Sequence, residues 1–189
     1  MSGIKQKSFA MAGMGLALLA AVVAGRYGAE AYRAHRIRDV VEAIVPAYGV
    51  DPELVMALIW QESRYRPHAI GAAGEHGLMQ VTLTAAEAWA VAEEVGTVNP
   101  DLLLEVEPNL RAGTWYLARA LHHWRDQDDP VPYALAQYNA GRRNALRWAA
   151  AGEAAGEGVG AFMDAITYPG TRAYIERVLT RYRGYVDQP

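Results

Sequence analysis

Residues 51–63 read DPELVMALIWQES, and this stretch decides the fold class. Asp51 offers a side-chain oxygen to free backbone N–H groups, and Pro52 suits the first helical position, where its missing N–H costs nothing. A helix is therefore predicted from Pro52 to about Ser63. Leu54, Leu58 and Glu62 recur at i, i+4 and i+8, so a carboxylate falls on the stripe that the leucines bury. Burial disfavours the charged form and raises the pKa, and the negative end of the helix dipole pushes the same way. A proton donor for a glycosidic oxygen needs that environment. Spacing alone leaves a second reading open, in which Glu62 sits at an exposed helix end and swings into water.

Helical periodicity continues on both sides. Upstream, Ile37, Val40, Val41, Ile44 and Val45 put a first helix over Glu30 to Tyr48, able to continue from the segment before it. Downstream, Pro67 and the run Gly71 to Gly77 predict a loop or short hairpin. Thr84-Ala85-Ala86-Glu87 reads as a capping box that opens a helix toward Glu94. Asn109 to Trp124 form another, with Leu110, Thr114, Leu117 and Leu121 on one face and a break at Gln127 to Pro130. Val131 to Ala140 form a short helix stopped by Gly141, and Arg142 to Ala149 a further one. The Gly/Ala/Glu-rich stretch from Ala151 to Gly160 is expected to be a mobile loop. A last helix covers about Thr171 to Tyr185. The chain contains no convincing alternating strands and no internal repeat.

On the Val131 to Ala140 helix, Val131, Leu135 and Tyr138 share a face, which directs a phenol inward just before Gly141. A buried tyrosine hydroxyl wants a partner, and a backbone carbonyl would satisfy it as well as a catalytic group. Asn139 fits a capping role equally.

The chain has 189 residues, 52% apolar and 21% charged, which suits one globular domain with a short extension. Phe9 to Gly25 is an uncharged, mostly apolar run of 17 residues behind Lys5 and Lys7. It reads as an export or anchoring segment, at the short limit of a membrane span and just longer than a cleaved signal's apolar region. The uncleaved anchor is preferred. Lys5 and Lys7 before the run and Arg26, Arg33, Arg36 and Arg38 after it leave orientation unfixed by charge. Beyond residue 25, 16 arginines face 21 acidic residues, a balance of −5 that argues against nucleic acid as a partner. With no cysteine, the core must suffice without disulfides. His68 and His76 flank the loop, and His122 and His123, adjacent on a helix, cannot face one ligand, so no metal site is expected. Trp60, Trp89, Trp115, Trp124 and Trp148 are read as core, and Arg64 and Arg66 as solvated.

Three ordered segments now gain weight together: Glu62-Ser63, Gly77-Leu78-Met79-Gln80, and Gln137-Tyr138-Asn139-Ala140-Gly141. They resemble the motifs of the soluble lytic transglycosylase catalytic domain, a goose-lysozyme-like family. Asn109 to Leu117 and Thr171-Arg172-Ala173-Tyr174-Ile175 match further family segments. No single tetrapeptide is specific, whereas five segments in order and spacing are. The resemblance implies an all-α, lysozyme-like catalytic domain with at most a minimal hairpin over residues 40–185. A membrane segment, 1–25, and a connecting helix, 26–39, would precede it.

What the resemblance further implies is cleavage of the β-1,4 bond between N-acetylmuramic acid and N-acetylglucosamine in peptidoglycan. Glu62 would protonate the bridging oxygen and then, as carboxylate, take the proton from the muramyl C6 hydroxyl, leaving a 1,6-anhydro sugar without water. Ser63 would hydrogen-bond the N-acetyl group or hold the acid, and Met79 and Gln80 would line the cleft. Tyr138 would position Glu62, Asn139 would support the transition state, and Tyr174 would flank the site. The partners implied are glycan strands and the inner membrane, with an envelope-spanning assembly as a further one, in the periplasm and with no cofactor.

One residue can serve both proton transfers because they occur in sequence. A hydrolase with two carboxyls needs them about 5–5.5 Å or 6.5–9.5 Å apart. Glu75 is the nearby loop candidate, read here as solvated, with water activation in a true lysozyme as its alternative role. Two departures from the family pattern stand out. Tyr168-Pro169-Gly170 lacks the acidic residue many members carry before the Thr-Arg pair, and Val81-Thr82-Leu83-Thr84 follows Gln80 in place of a Met-Pro-containing form. The competing functions are a muramidase or chitin-type hydrolase of the same fold and a catalytically idle wall-binding module.

Overall fold

The helix that Asp51 and Pro52 begin is the one around which the domain is built. The computed structural model describes residues 2–156 and 158–187, with side chains from residue 20 onward. Its helices are α1 Ser2–Ile44, α2 Pro52–Ser63, α3 Leu83–Ala92, α4 Val106–His123, α5 Pro130–Ala140, α6 Arg142–Ala155, α7 Gly158–Ala165 and α8 Pro169–Val186. Among the described residues there is no strand, only the isolated antiparallel bridges Ile70–His76 and His76–Val81. The all-α expectation with its minimal hairpin describes this arrangement.

In α2, every residue from Leu54 to Ile59 is buried, so the helix is enclosed on all sides. Asp51 accepts from the Glu53 N–H at 2.8 Å, and Arg64, left-handed at φ 55°, ends the helix. The Ser63 boundary read from sequence is the observed one. Helix α8 packs against α2 and α5, α4 against α3 and α5, and α6 against α5 and α7. Tyr133 of α5 stacks on Phe162 of α7 with ring centroids 3.9 Å apart, which closes the core at its far end.

Helix α1 runs unbroken from Ser2 to Ile44, and a short 3₁₀ turn over Val45–Tyr48 follows it. Ile37, Val41 and Ile44 are buried against the domain, and Arg38 pairs with Glu53 at 2.5 Å. Most of the Phe9 to Gly25 stretch falls in residues whose side chains lie outside the description. Among the described residues no helix is long and apolar enough to cross a membrane.

Two expectations need correction. The cap of α3 is Thr82, whose hydroxyl accepts from the Ala85 N–H at 3.2 Å, and not Thr84. Val81 is still bridged to His76, so the chain turns helical directly after it. The stretch from Ala151 to Gly160 is not a loop throughout: α6 continues to Ala155 and α7 begins at Gly158. Alanine-rich sequence favours helix, and Gly152 lies where α7 crosses, a Cβ there meeting the Phe162 backbone at 2.9 Å.

Candidate active site

Glu62 stands in the last turn of α2, half-buried, and accepts a hydrogen bond of 2.5 Å from the Tyr174 hydroxyl of α8. Desolvation raises its pKa from the ordinary 4.5 to about 7. The Tyr174 bond opposes that rise and the negative charge of Glu75 adds to it. Of the two sequence readings of Glu62, a desolvated acid and a solvated helix end, the desolvated acid is the observed one. Such a carboxyl holds its proton near neutrality and can still release it.

The opposite wall is built from backbone. His76 and Val81 exchange N–H···O bonds of 3.0 and 2.9 Å, closing a tight turn over residues 76–81. Asn109, fully buried at the start of α4, fills that turn. Its Oδ1 accepts from Met79 N–H at 2.8 Å, and its Nδ2 donates to His76 O at 2.7 Å and Leu103 O at 2.8 Å. Gly77, at φ 76°, lies so close to Asn109 and Leu103 O that a Cβ would clash with both. From within the turn the Met79 side chain runs into the core beside Gly113, where a Cβ would meet its sulfur at 2.6 Å. Tyr138 Oη donates to the Met79 carbonyl at 2.8 Å, and its ring packs edge-on against Tyr116, centroids 5.5 Å apart. Burial and the neighbouring Glu62 charge push the Tyr138 pKa well up, so the hydroxyl stays protonated.

A pocket of about 240 Å³ opens on this wall, lined by Gln80, Thr82, Tyr116, Tyr138, Asn139 and Gly141. Gln80 is held by bonds from Nε2 to Ala69 O and Gly77 O, at 3.2 and 2.9 Å. Asn139 is exposed, and its Oδ1 accepts from the Thr171 hydroxyl at 2.8 Å.

Three placements differ from the sequence reading. The hydroxyl that holds Glu62 belongs to Tyr174, while that of Tyr138 is committed to the Met79 carbonyl. Ser63 is buried and its hydroxyl donates to Ile59 O at 3.2 Å, so it ties down the end of α2. The Met79 side chain is fully buried, and only its backbone borders the cleft. Sequence reasoning placed Asn109 and Thr171 at the heads of two family-like segments and gave neither side chain a role; their bonds to the 76–81 turn and to Asn139 join residues far apart in the chain. Glu75 is not simply solvated, since its carboxylate accepts from Ala73 N–H at 3.1 Å and its charge reaches Glu62. Among the described residues no three His, Asp or Glu side chains converge as a metal site would require.

The arrangement has counterparts in known proteins. Membrane-bound lytic murein transglycosylase F of Desulfosudis oleivorans is 35% identical over 112 residues, 58% of this chain and 23% of that protein. Membrane-bound lytic murein transglycosylase C of Shigella sonnei is 32% identical over 121 residues, 61% of this chain and 34% of that protein. The chain thus spans about a quarter to a third of the length of these relatives. Among solved structures, the 70 kDa soluble lytic transglycosylase of Escherichia coli superposes with a TM-score of 0.69 at 27% identity. That match covers 79% of this chain and 24% of the other. A complex of the 70 kDa soluble lytic transglycosylase with bulgecin A matches with a TM-score of 0.69 at 26% identity, over 79% and 24% of the two chains. The family model described as the transglycosylase SLT domain matches residues 39–157, which take in α2 with Glu62, the 76–81 turn and the α5 motif. With more than half of its length inside that match, this chain belongs to the transglycosylase SLT domain family.

Proposed function

We propose that the protein is a peptidoglycan lytic transglycosylase in which Glu62 acts first as acid and then as base. The carrying observation is a half-buried carboxyl whose pKa stands at about 7, bonded to a tyrosine hydroxyl across the helix interface. As acid it protonates the oxygen leaving the muramyl C1. As carboxylate it then takes the proton from the C6 hydroxyl of the same sugar, whose oxygen closes on C1, so no water enters the product. Tyr174 fixes the carboxylate, and the Asn139 side chain, set by Thr171, borders the sugar through the pocket it shares with Gln80 and Tyr138. The substrate exists outside the inner membrane, which assigns the domain to the periplasm and the Phe9 to Gly25 segment to anchoring or export. An envelope-spanning assembly is a further partner of such an enzyme.

A second reading keeps Glu62 as acid and uses Glu75 to activate water, as in a muramidase. It is favoured by the electrostatic contact between the two carboxylates. Product mass separates the readings, because transglycosylation retains the mass of the strand and hydrolysis adds one water. Digestion of peptidoglycan should yield 1,6-anhydromuramic termini. Reducing muramic acid termini would transfer the assignment to the hydrolase, and no cleavage at all to an idle wall-binding module. A C-terminal reporter that is active only in the cytoplasm should stay dark.

A further inference from the structure

A pocket of about 540 Å³ opens between the end of α3 and the start of α4, with Trp89, Glu93, Val95, Leu102, Glu105 and Val106 among its lining residues. It shares no lining residue with the 240 Å³ pocket of the cleft. Leu103, beside Leu102, accepts from Asn109, the same side chain that holds Met79 in the 76–81 turn.

The rim of this pocket carries one sign of charge. Residues 87–107 hold six carboxylates, Glu87, Glu93, Glu94, Asp101, Glu105 and Glu107, and no Lys or Arg. The chain as a whole stands at −3, so taking these six away leaves +3 for the rest. Among the described residues only Glu107 of the six has a cation at ion-pair distance, Arg111 at 2.9 Å. Between the charges the lining is apolar, through Leu102, Val106 and Val95, the last 47% exposed, and Val91 on α3 is 82% exposed. Trp89 is only 2% exposed, yet its indole N–H has no acceptor among the described residues. A buried donor without an acceptor is unfavourable. In the wall of an open pocket it is satisfied by a carbonyl that a ligand brings.

We propose that this pocket docks a short basic segment of a partner protein, one in which Lys or Arg stands beside a large apolar side chain. Three features of the pocket then meet three parts of a peptide. The Trp89 N–H takes a backbone carbonyl, Val95, Leu102 and Val106 take the apolar side chain, and Glu93 and Glu105 take the cations. A small polycation would use the charge and leave Val91, Val95 and the apolar lining in water. The same carboxylates repel an anionic lipid surface, and among the described residues no three converge as a metal ion requires. Because the cleft pocket is lined by other residues, partner and glycan strand are held at the same time, and docking is independent of the chemistry at Glu62.

The test uses the full chain, labelled with nitrogen-15, in a zwitterionic detergent, and the probe acetyl-Lys-Leu-Leu-Lys-amide. Its five tryptophan indole signals can be followed singly by nuclear magnetic resonance, and Trp89→Phe identifies that of Trp89. Titration should move the Trp89 signal saturably, and equally in Glu62→Gln. Acetyl-Glu-Leu-Leu-Glu-amide and acetyl-Lys-Ser-Ser-Lys-amide should leave it in place. Glu93 and Glu105 are both exposed, so the double variant Glu93→Gln with Glu105→Gln should keep the fold. Its affinity for the lysine–leucine probe should fall on the order of 10-fold, the combined scale of two exposed ion pairs. A Trp89 signal that does not move, equal movement by the glutamate or serine probe, or an unchanged affinity in the variant overturns the proposal. So does a shift that grows with protein concentration in the absence of peptide, which would give the pocket to a second copy of this chain.

Discussion

The two walls of the cleft are made by different means. On the α2–α8 wall, side chains face each other and set a charge: the Tyr174 hydroxyl on Glu62, Glu75 within electrostatic reach, and burial holding the acid at about 7. On the wall formed by the 76–81 turn, side chains hold backbone: Asn109 fills the turn, Met79 anchors it in the core, and Tyr138 caps the Met79 carbonyl. The difference teaches that residues of one motif need not share one role. The first wall is tuned by single protons, the second by packing and hydrogen-bond geometry, so substitutions on the two should fail in different ways.

The contrast is tested hardest by Glu62→Gln. Gln has nearly the same shape and still accepts from Tyr174, so the fold should survive while neither proton transfer remains. General acid–base assistance is worth about 10²–10⁴-fold, and losing both halves should exceed one. Release of 1,6-anhydromuramyl products should become undetectable while the circular dichroism spectrum is unchanged. Substantial residual cleavage would move the acid elsewhere, with Glu75 next to test.

Asn109→Ala should do the reverse. It strands the Met79 N–H and the Leu103 carbonyl in a buried place, at about 1–3 kcal/mol each for groups that water cannot reach, while the His76 carbonyl keeps its bond from Val81 N–H. A loss on the order of 4 kcal/mol in urea denaturation is expected, with activity falling only as the folded fraction falls. An Asn109→Ala protein of wild-type stability with a weakened kcat would show that this wall takes part in the chemistry.

The two walls also differ in how well the sequence exposes them. The α2 helix with its acid was readable from Asp51-Pro52 and the Leu54–Leu58–Glu62 stripe, because capping and periodicity are local. The Tyr174–Glu62 bond joins residues 112 positions apart, and nothing in local spacing selects Tyr174 over Tyr138 as the donor. The resemblance implied that Ser63 bonds the N-acetyl group or holds the acid and that Met79 lines the cleft. Their burial follows from the Arg64 turn and the Gly113 gap, which only tertiary packing creates. In the same way the glycines of 71–77 do mark a turn, whereas Gly152 marks a crossing of helices. Composition alone does not distinguish the two.

A third prediction measures how much stability the first wall gives up for its acid. Between the ordinary carboxyl pKa of 4.5 and the folded value of about 7, the native state binds more protons than the unfolded chain, so stability must fall as pH rises through this window. Above it the charged form costs about 2–3 kcal/mol, allowing for relief by water in an open cleft. Glu62→Gln should therefore be more stable than the wild type by about that amount at pH 8 and nearly equal to it at pH 4, as read by denaturant titration at both values. A variant no more stable at pH 8 would mean that Glu62 is solvated after all.

The smallest effect expected on this wall comes from Tyr174→Phe, and it is the most specific. The hydroxyl stabilises the charged carboxylate, so its loss leaves desolvation and Glu75 unopposed and the Glu62 pKa must rise further. Cleavage needs the protonated acid in its first step, so the activity of the wild type should decline as pH rises through about 7. In Tyr174→Phe that alkaline limb should move to higher pH by less than about one unit, the scale of one hydrogen bond of roughly 1 kcal/mol. Tyr138→Phe, on the other wall, removes a bond to the Met79 carbonyl and none to Glu62. It should lower stability by a similar roughly 1 kcal/mol while leaving the limb near its wild-type position. A limb that moved with Tyr138→Phe and stayed fixed with Tyr174→Phe would reverse the assignment of the two tyrosines, and with it the division between the walls.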